Sequence, residues 1–454
     1  MLSPHLPAAI VAAGQTLVAE LSRWAAAHPD SSLAEQEDAV LAAVRRAQPA
    51  LLLAVLQATL RARTREPARC PHCQHRAGVH DWRPRQVLTV CGPLRWERPW
   101  ARCTACGAHF GAGDATLGLA PGQQQSAGVT ALATALGSVT SFREAAHLLQ
   151  LTTGLALSSE TVRRDTEAAG TAVAAAQDAA VVAYAAGTEP AVAEPAPGVL
   201  VAETDGVFVR YQDGWHEVKV GVVGGWVAAA PPSPAATRDG AAAARGHLQA
   251  PSYVAAREES TAFAERFAAE AARRGALMVV GWHGPHQGIA ELRRVVVLGD
   301  GATWIWVTAA SHFGTSVEIV DYFHACEHLT TVAGLLHGVG SAAAAAWAQA
   351  RRGELWEDGV DPILPQLTAP PGLSAEAAET LRTERGYFTG NAARMQYPAF
   401  RAQGLPVGSG AVEGSAKHLI QQRLKRPGAR WSQPGGRALI ALRARDATRN
   451  RAAA

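Results

Sequence analysis

The chain has 454 residues, of which 48% are hydrophobic and 18% charged, and its formal net charge is +3. This balance excludes an intrinsically disordered polymer, and the length suits two to four domains. Six cysteines in so long a chain exclude a disulfide-stapled scaffold. The first residues lack the features of a signal peptide, and we expect no apolar stretch long enough to span a bilayer, which predicts a cytoplasmic protein.

The positive charge is concentrated in two blocks. Residues 61–110 contain ten arginines and three acidic residues, a local charge of +7, and residues 417–451 contain ten basic residues and one acidic residue, a local charge of +9. Two basic blocks in a nearly neutral chain indicate an anionic polymer as partner. Either block alone is equally consistent with a solvated face.

Residues 1–65 are predicted to form an N-terminal helical segment. The stretch 33–60 is rich in Ala, Leu, Glu and Arg, with Pro49 as a point of interruption, and the break at 29–32 supplies a helix cap. No residue pattern here indicates chemistry, so we expect a role in packing or oligomerisation.

Residues 66–115 are predicted to form a zinc ribbon. Two Cys-x-x-Cys knuckles are separated by two alternating runs that meet at Gly92-Pro93, the pattern of a β-hairpin. Four thiolates suit tetrahedral zinc, whereas iron or a redox pair is the alternative. Cys91, at the turn, is interpreted as a bystander, and the surrounding arginines and tryptophans suit a nucleic-acid surface. The predicted zinc ligands are Cys70, Cys73, Cys103 and Cys106.

Residues 120–172 are predicted to form three helices with a helix-turn-helix. Ser141 and Glu144 fit a capping box, a turn follows near Gly154, and Ser158 or Ser159 begins the next helix. That last helix carries Arg163 and Arg164, which would face DNA. An ordinary helical hairpin is the alternative. A helix and linker, residues 173–198, lead to a domain boundary.

Residues 199–324 are predicted to form the first part of a catalytic core. A strand carrying Asp205 is followed by a turn at Asp213-Gly214 and a returning strand; a third strand and an amphipathic helix come next. The β-branched run 296–298 then ends at Asp300 between two glycines, with Trp304 and Trp306 alternating after it. A further strand covers 315–320.

This order of strands and helix is typical of a ribonuclease H-like α/β fold with a mixed sheet. The first and fourth strands of that fold are neighbours, so Asp205 and Asp300 are expected to converge. Residues 325–407 have a helical bias and are predicted to be an all-α insertion, after which residues 408–451 complete the core. Glu413 lies in the first turn of a helix predicted to run to Lys425.

Basic residues follow Glu413 at helical spacing. Lys417, Gln421 and Lys425 repeat every four residues, with Arg423 and Arg426 nearby. A carboxylate at the start of a basic helical stripe fits a metal site beside a phosphate backbone.

Taken together, these motifs resemble bacterial insertion-sequence transposases of the DDE type, in the group related to the Mutator superfamily. The resemblance runs from about Cys70 to Arg445 and covers the zinc ribbon and the helix-turn-helix. The motifs that carry it are Asp205-Gly206-Val207, Gly299-Asp300-Gly301-Ala302, Asp321-Tyr322-Phe323-His324, Glu327-His328-Leu329, Gly408-Ser409-Gly410, Glu413-Gly414, Arg423-Leu424-Lys425 and Gly428-Ala429-Arg430-Trp431.

The resemblance implies a catalytic triad and its cofactors. Asp205, Asp300 and Glu413 would hold two Mg²⁺ or Mn²⁺ ions for in-line displacement at phosphorus. Asp321 and His324 would match the Asp-x-x-His signature of the superfamily. The implied partner is double-stranded DNA at transposon ends and target, bound by a homodimer or larger assembly in the bacterial cytoplasm, at the nucleoid. The residues expected to bind DNA are Arg163, Arg164, Lys417, Arg423, Lys425 and Arg430.

Three alternatives stay open at this point. His324, Glu327 and His328 also match the His-x-x-Glu-His pattern of inverzincin proteases, but that assignment leaves the three acids and the basic blocks unexplained. A DNA-binding protein without catalysis would use only the ribbon and the helix-turn-helix. A ribonuclease H-like nuclease would cut DNA without strand transfer.

Overall fold

The computed structural model describes residues 8–63, 68–188, 198–228, 246–276 and 295–452. Its contacts divide the chain into two compact units, Met1–Thr166 and Glu167–Ala454. The predicted linker at 189–197 and most of the predicted loop at 229–251 lie outside the described residues. Together the described residues form a mixed α/β protein.

The first unit begins with two helices, α1 (Ala8–Ala27) and α2 (Leu33–Arg63). The Glu35 carboxylate accepts hydrogen bonds from the Ser32 backbone N–H and hydroxyl at 2.8 and 2.7 Å, so the predicted cap at the break is present. Pro49 lies inside α2 and does not end it. Side chains Leu52, Leu53 and Leu56 pack against the ribbon hairpin.

The expectation about apolar segments is wrong for α2. Its stretch Leu33–Thr59 is long and apolar enough to cross a membrane by length and composition. Within this stretch Leu52, Leu53 and Leu56 pack against the ribbon, whereas Leu33 and Leu41 are exposed.

The ribbon is a four-stranded antiparallel sheet in the order β1–β2–β3–β4. Its hairpin turns at Val90-Cys91, two residues before the predicted Gly92-Pro93, because Gly92, with φ of +100°, already pairs with Thr89. Val87, Leu94 and Trp96 form its small core. The strands are β1 (Ala68–Arg69), β2 (Arg76–Thr89), β3 (Gly92–Arg102) and β4 (His109–Gly111), followed by a 3-10 turn at Ala115–Leu117.

Three helices follow: α3 (Ala127–Val139), α4 (Phe142–Thr153) and α5 (Ser159–Ala185). Ser141 caps α4, Gly154 ends it with φ of +77°, and Ser158 accepts from the Thr161 backbone N–H at 3.0 Å. The sequence left Ser158 and Ser159 open, and the cap is Ser158. The helix α5 is continuous, so the predicted separate helix after residue 172 is its C-terminal half.

The second unit contains a five-stranded sheet in the order β7–β6–β5–β8–β9. The strand β5 pairs antiparallel with β6 and parallel with β8, and β9 is parallel to β8. The strands are β5 (Val199–Tyr211), β6 (Gly214–Ala228), β7 (Gly246–Ala256), β8 (Val295–Gly299) and β9 (Val317–Val320).

Helices cover this sheet. The helix α6 (Ser260–Arg273) buries Phe263, Phe267 and Ala271, the apolar positions four apart in its sequence. The helix α7 (Thr303–His312) contains both tryptophans that follow Asp300. Trp306 is buried, whereas Trp304 is only partly buried.

The segment after β9 is helical, and within the part the structure describes it contains no strand. It comprises α8 (Tyr322–His337), α9 (Ala342–Glu357), α10 (Ala375–Gly390) and α11 (Tyr397–Ala402), with 3-10 turns at Leu364–Gln366 and Ala392–Arg394. Leu355, Phe388 and Tyr397 belong to the same hydrophobic core as the sheet residues Val201 and Val297. These helices therefore extend the core of the sheet.

The chain then returns to the sheet through α12 (Gly410–Ser415), a π-helix (Ala416–Gln421), α13 (Gln422–Leu424) and α14 (Gln433–Ala452). The helix α14 packs against β7 and crosses α5 near its middle, at Gly170. At that crossing a Cβ on Gly170 would lie 2.1 Å from the Ala438 carbonyl oxygen, so only glycine permits the approach.

Candidate carboxylate site and cysteine cluster

The four predicted cysteine ligands lie together in the first unit. Their sulfur atoms are all within 4.8 Å of one another, with Cys70 and Cys106 Sγ, and Cys73 and Cys103 Sγ, each 3.5 Å apart. Tetrahedral zinc with Zn–S bonds of about 2.3 Å places its sulfurs about 3.8 Å apart. The spacing fits, and this cluster could hold a metal ion such as zinc.

The two knuckles have the same backbone geometry. Gln74 N–H donates to the Cys70 carbonyl and Gly107 N–H to the Cys103 carbonyl, both at 2.9 Å. The two residues have positive φ angles, +60° and +75°. Backbone N–H groups, first that of Cys106, lower the pKa of the Cys103 thiol to about 6 against the effect of desolvation, which favours the thiolate that a metal needs.

The predicted catalytic aspartates lie at the carboxyl edge of a parallel strand pair in the second unit. Glu203 on β5 is in register with Leu298 on β8, and Asp205 and Asp300 each follow two residues later. Burial raises the pKa of Asp205, the Gly206 backbone N–H opposes this, and the charges of Asp300 and Glu413 raise it further. The carboxylates are therefore close enough to repel one another.

Glu413 reaches this edge from the first turn of α12. Its backbone N–H donates to the Ser409 carbonyl at 3.1 Å, and the Ser409 hydroxyl lies 3.4 Å from Glu413 Oε1. The Glu413 side chain is exposed, whereas Val412 beside it is fully buried. The carboxylate thus faces solvent on a turn that is fixed to the core.

A buried glutamate that the sequence reading missed fixes this turn. Glu203 is 2% exposed, and its Oε2 accepts from the Val412 backbone N–H at 2.9 Å. Burial raises the pKa of Glu203 to about 8, although the N–H groups of Val412 and Ala411 lower it. The signal was available: Glu203 precedes Asp205 by two positions in a buried strand, so both point to one face.

Asp321 links the loop before α12 to α8. Its carboxylate accepts from the His324 backbone N–H at 2.7 Å as the N-cap of α8, and it also accepts from the Ser409 backbone N–H. Asp321 is 1% exposed. These contacts make Asp321 a positioning residue for the turn that carries Glu413.

The two histidines of the His-x-x-Glu-His pattern have different surroundings. The charge of His324 lowers the pKa of Asp205, and its ring lies edge-on to His328 at 5.1 Å. His328 Nδ1 lies 2.7 Å from Glu384 Oε2, and its ring stacks on Tyr387 at 3.8 Å. His328 therefore joins α8 to α10.

Tyr387 is a second residue that the sequence reading missed. Its hydroxyl donates to the Asp300 backbone carbonyl at 2.9 Å, so a helix of the all-α segment holds the loop of a candidate catalytic aspartate. Gly301, the next residue, has φ of +103°, and a Cβ there would lie 2.6 Å from Tyr387 Cε2. The glycine after Asp300 is needed for both reasons.

The residues expected to bind DNA differ in exposure. Arg164, Lys417, Lys425 and Arg430 are exposed, whereas Arg163 is half-buried and donates from Nε to Glu160 Oε2 at 2.9 Å. The assignment of Arg423 requires correction. It is 3% exposed, its guanidinium lies 4.9 Å from the centre of the Trp431 ring, and burial lowers its pKa to about 10.

The predicted stripe of Lys417, Gln421 and Lys425 begins within a π-helix, Ala416–Gln421. A π-helix has more residues per turn than an α-helix, which changes the direction of the side chains along it. Lys417 and Lys425 stay on the solvent side, and Leu419, Ile420 and Arg423 turn inwards. Such π segments occur often at functional sites.

Among the described residues, the four cysteines form the one group of three or more metal-ligating side chains within 4.8 Å. Asp205, Asp300 and Glu413 do not form such a group in the described structure. Two cations roughly 4 Å apart require a wider arrangement of acids. Carboxylate oxygens suit Mg²⁺, and a cation would relieve the mutual repulsion at Asp205.

The structure thus defines a mixed α/β protein with a cysteine cluster suited to a metal and a separate group of interacting carboxylates. No model of a known protein family matches the chain, and no curated protein matches it. The functional argument rests on the residues themselves.

Replacing Glu203 by alanine is expected to destabilise the second unit by about 1–3 kcal/mol, because it leaves the N–H groups of Ala411 and Val412 without their buried acceptor. Urea unfolding measures the change. Glu203→Gln keeps an acceptor oxygen, so its loss of stability should be much smaller. Equal stability of Glu203→Ala and wild type would show that the contact does not fix α12.

Gly301→Ala is expected to lower the free energy of unfolding by about 1–3 kcal/mol because Gly301 has a positive φ. The clash of the new Cβ with Tyr387 should lower the free energy of unfolding further. Gly338→Ala is the matched control, since Gly338 has φ of +89° and open space at the Cβ position. Thermal unfolding of both variants separates the backbone cost from the steric one. Equal losses in the two would rule out a role for the Tyr387 contact.

Proposed function

We propose that the chain is a DDE transposase that cleaves DNA at transposon ends and transfers the 3′ ends to target DNA. The observation that carries this proposal is the parallel pairing of β5 and β8, with Asp205 and Asp300 following in register. The influence of Glu413 on the pKa of Asp205 supports a third member. A strand order of β7–β6–β5–β8–β9 is the order expected of a ribonuclease H-like core.

Together, the three acids would hold two divalent cations, Mg²⁺ or Mn²⁺. When bound, two such cations supply activation of a water or 3′-hydroxyl and stabilise the leaving oxygen of a phosphodiester. The protein contributes rigidity. Tyr387 holds the Asp300 loop, and Asp321 and Glu203 hold the turn of Glu413. Fixed ligands of this kind favour the charged transition state because little reorganisation is needed.

The other elements supply DNA contacts in this proposal. The ribbon, stabilised by zinc, carries the exposed Arg83, whose guanidinium lies 4.7 Å from the centre of the Trp100 ring. The helices α4 and α5, joined by residues 154–158, would act as the helix-turn-helix, with Arg164 exposed. Two DNA ends are processed together in such reactions, which suggests a homodimer or larger assembly.

DNA binding is expected to weaken steeply with salt, because each neutralised phosphate adds roughly −0.9 to the slope of log affinity against log salt on duplex DNA. Lys417→Ala and Lys425→Ala should each reduce that slope by about one. Arg423→Ala, at a buried position, should change stability rather than the slope. The measurement is fluorescence anisotropy over a salt series, and a salt-independent affinity would contradict the proposed role of the basic residues.

The test of the function is Mg²⁺-dependent cleavage of labelled DNA that carries the ends of the element, by wild type and by Asp205→Ala. Cleavage that is lost in the variant supports the proposal, and strand-transfer products distinguish a transposase from a ribonuclease H-like nuclease. Specific binding by the wild type without cleavage would instead indicate a DNA-binding protein that lacks catalysis.

A further inference from the structure

A basic pocket with an exposed tryptophan lies at the tip of the β5–β6 hairpin in the second unit. The cavity has a volume of about 450 Å³ and lies between the hairpin and the loop that follows α13. Four cations line it, and none of the described residues that line it is acidic. The charged and aromatic lining residues are Arg210, Trp215, Lys425, Arg426 and Arg430.

The two walls of the pocket are joined by backbone hydrogen bonds. Gln212 N–H donates to the Trp431 carbonyl at 2.9 Å, and Trp431 N–H donates to the Arg210 carbonyl at 3.3 Å. The Trp431 indole N–H donates to the Leu424 carbonyl at 3.0 Å, which closes the loop between Leu424 and Trp431. The cations on the loop are thus held at a fixed position beside the hairpin.

Trp215 is the aromatic surface of this pocket. It is 57% exposed, it pairs across the hairpin with Arg210, and the Arg210 guanidinium lies 5.9 Å from the ring centre. Trp215 therefore presents a large aromatic surface to solvent beside the cations of the pocket. A ligand that has both a planar aromatic ring and an anionic group could stack on Trp215 and pair with these cations.

We propose that this pocket binds an unpaired nucleotide of a DNA strand, with its base stacked on Trp215 and its flanking phosphates near Lys425, Arg426 and Arg430. In duplex DNA both faces of each base are covered by neighbouring bases, so a tryptophan face can be used only by a base outside the stack. Stacking on aromatic side chains within a positive groove is how proteins hold single strands.

The pocket is separate from the carboxylate site. Arg210 and Asp205 are five positions apart on β5, so their side chains point to opposite faces of the strand. The helical stretch from Gly410 to Leu424 leads from the turn of Glu413 to the pocket, a length of about 22 Å. The inference rests on the proposed function only in taking a DNA strand as the ligand.

The test is fluorescence anisotropy of the full chain with a labelled oligothymidylate of about 12 nucleotides, without added Mg²⁺. Trp215→Ala is expected to weaken binding about tenfold or more, and Trp215→Phe to keep most of the affinity. Phe208→Ala is the matched control, because Phe208 is 58% exposed on β5 and does not line the pocket. Unlabelled duplex should compete less well than unlabelled single strand.

A second variant keeps the proposal testable if Trp215→Ala fails to fold. Arg430→Ala, at an exposed position of the loop, should weaken single-strand binding and reduce the salt slope by roughly 0.7. Wild-type affinity in Trp215→Ala or Arg430→Ala, or an equal loss in Phe208→Ala, would overturn the proposal. So would competition by ATP as strong as that by the strand, since the ligand would then be a free nucleotide.

The outcomes separate this inference from the proposed function. If binding depends on Trp215 but no Mg²⁺-dependent cleavage is found, the transposase proposal is contradicted and the proposal for the pocket is supported. Cleavage at transposon ends with strand binding that does not depend on Trp215 would remove the pocket and leave the transposase proposal.

Discussion

Asp300→Asn is expected to reduce Mg²⁺-dependent DNA cleavage on the order of 10³-fold or more. The amide keeps the shape of the side chain but removes the charge that would hold a cation, and loss of such transition-state stabilisation is worth several kcal/mol. The loop should stay in place, because the contact with Tyr387 is made by the backbone carbonyl of Asp300. The measurement is the single-turnover rate of cleavage on labelled DNA.

Asp358→Asn is the matched control for this substitution, since Asp358 follows α9 at the surface and has no contact with the carboxylate site in the described structure. It should cleave at the wild-type rate. DNA binding by Asp300→Asn should equal or exceed that of the wild type, because a negative charge has been removed near the phosphates. Normal cleavage by Asp300→Asn would exclude the proposed triad.

Cys103→Ser is expected to release the bound metal and unfold the ribbon. Structural zinc contributes about 10–16 kcal/mol of apparent binding free energy in small domains, more than a sheet with so small a core can replace. Elemental analysis should find about one zinc per wild-type chain and much less in the variant. Limited proteolysis should then cut within residues 68–111, which the wild type protects.

Cys91→Ser is the control for the zinc site. Cys91 lies at the turn of the hairpin and is outside the four-cysteine cluster, so the variant should keep its metal and its protection from protease. A wild-type protein that contains no metal and still protects the ribbon would contradict the structural role of zinc. Loss of zinc from Cys91→Ser would show that the ligand set is different.

The parts of the fold that were read correctly depend on interactions between near neighbours in the chain. The knuckles of Cys70 and Cys103 close through hydrogen bonds over four residues, and Ser141 caps α4 through a residue three positions away. Such contacts are set by the residue types and their spacing, because few backbone conformations satisfy them.

The features that were missed depend on residues far apart in the chain. Glu203 and Val412 are 209 positions apart, and Asp300 and Tyr387 are 87 positions apart. Nothing in either local sequence indicates the partner. The burial of Arg423 is also not evident from the local sequence. It depends on packing against Trp431 and on the π-helix before it, which changes the direction of the side chains.

By itself, the sequence determined the cysteine knuckles, most helix and strand positions, and the identity of the acids available for chemistry. Only the tertiary structure decided the register of β5 with β8, the support of Glu413 by Glu203 and Asp321, and the pocket around Trp215. The physical reason is that local hydrogen bonds are fixed within a few residues. Burial and repulsion between carboxylates, in contrast, depend on which distant segments the hydrophobic core brings together.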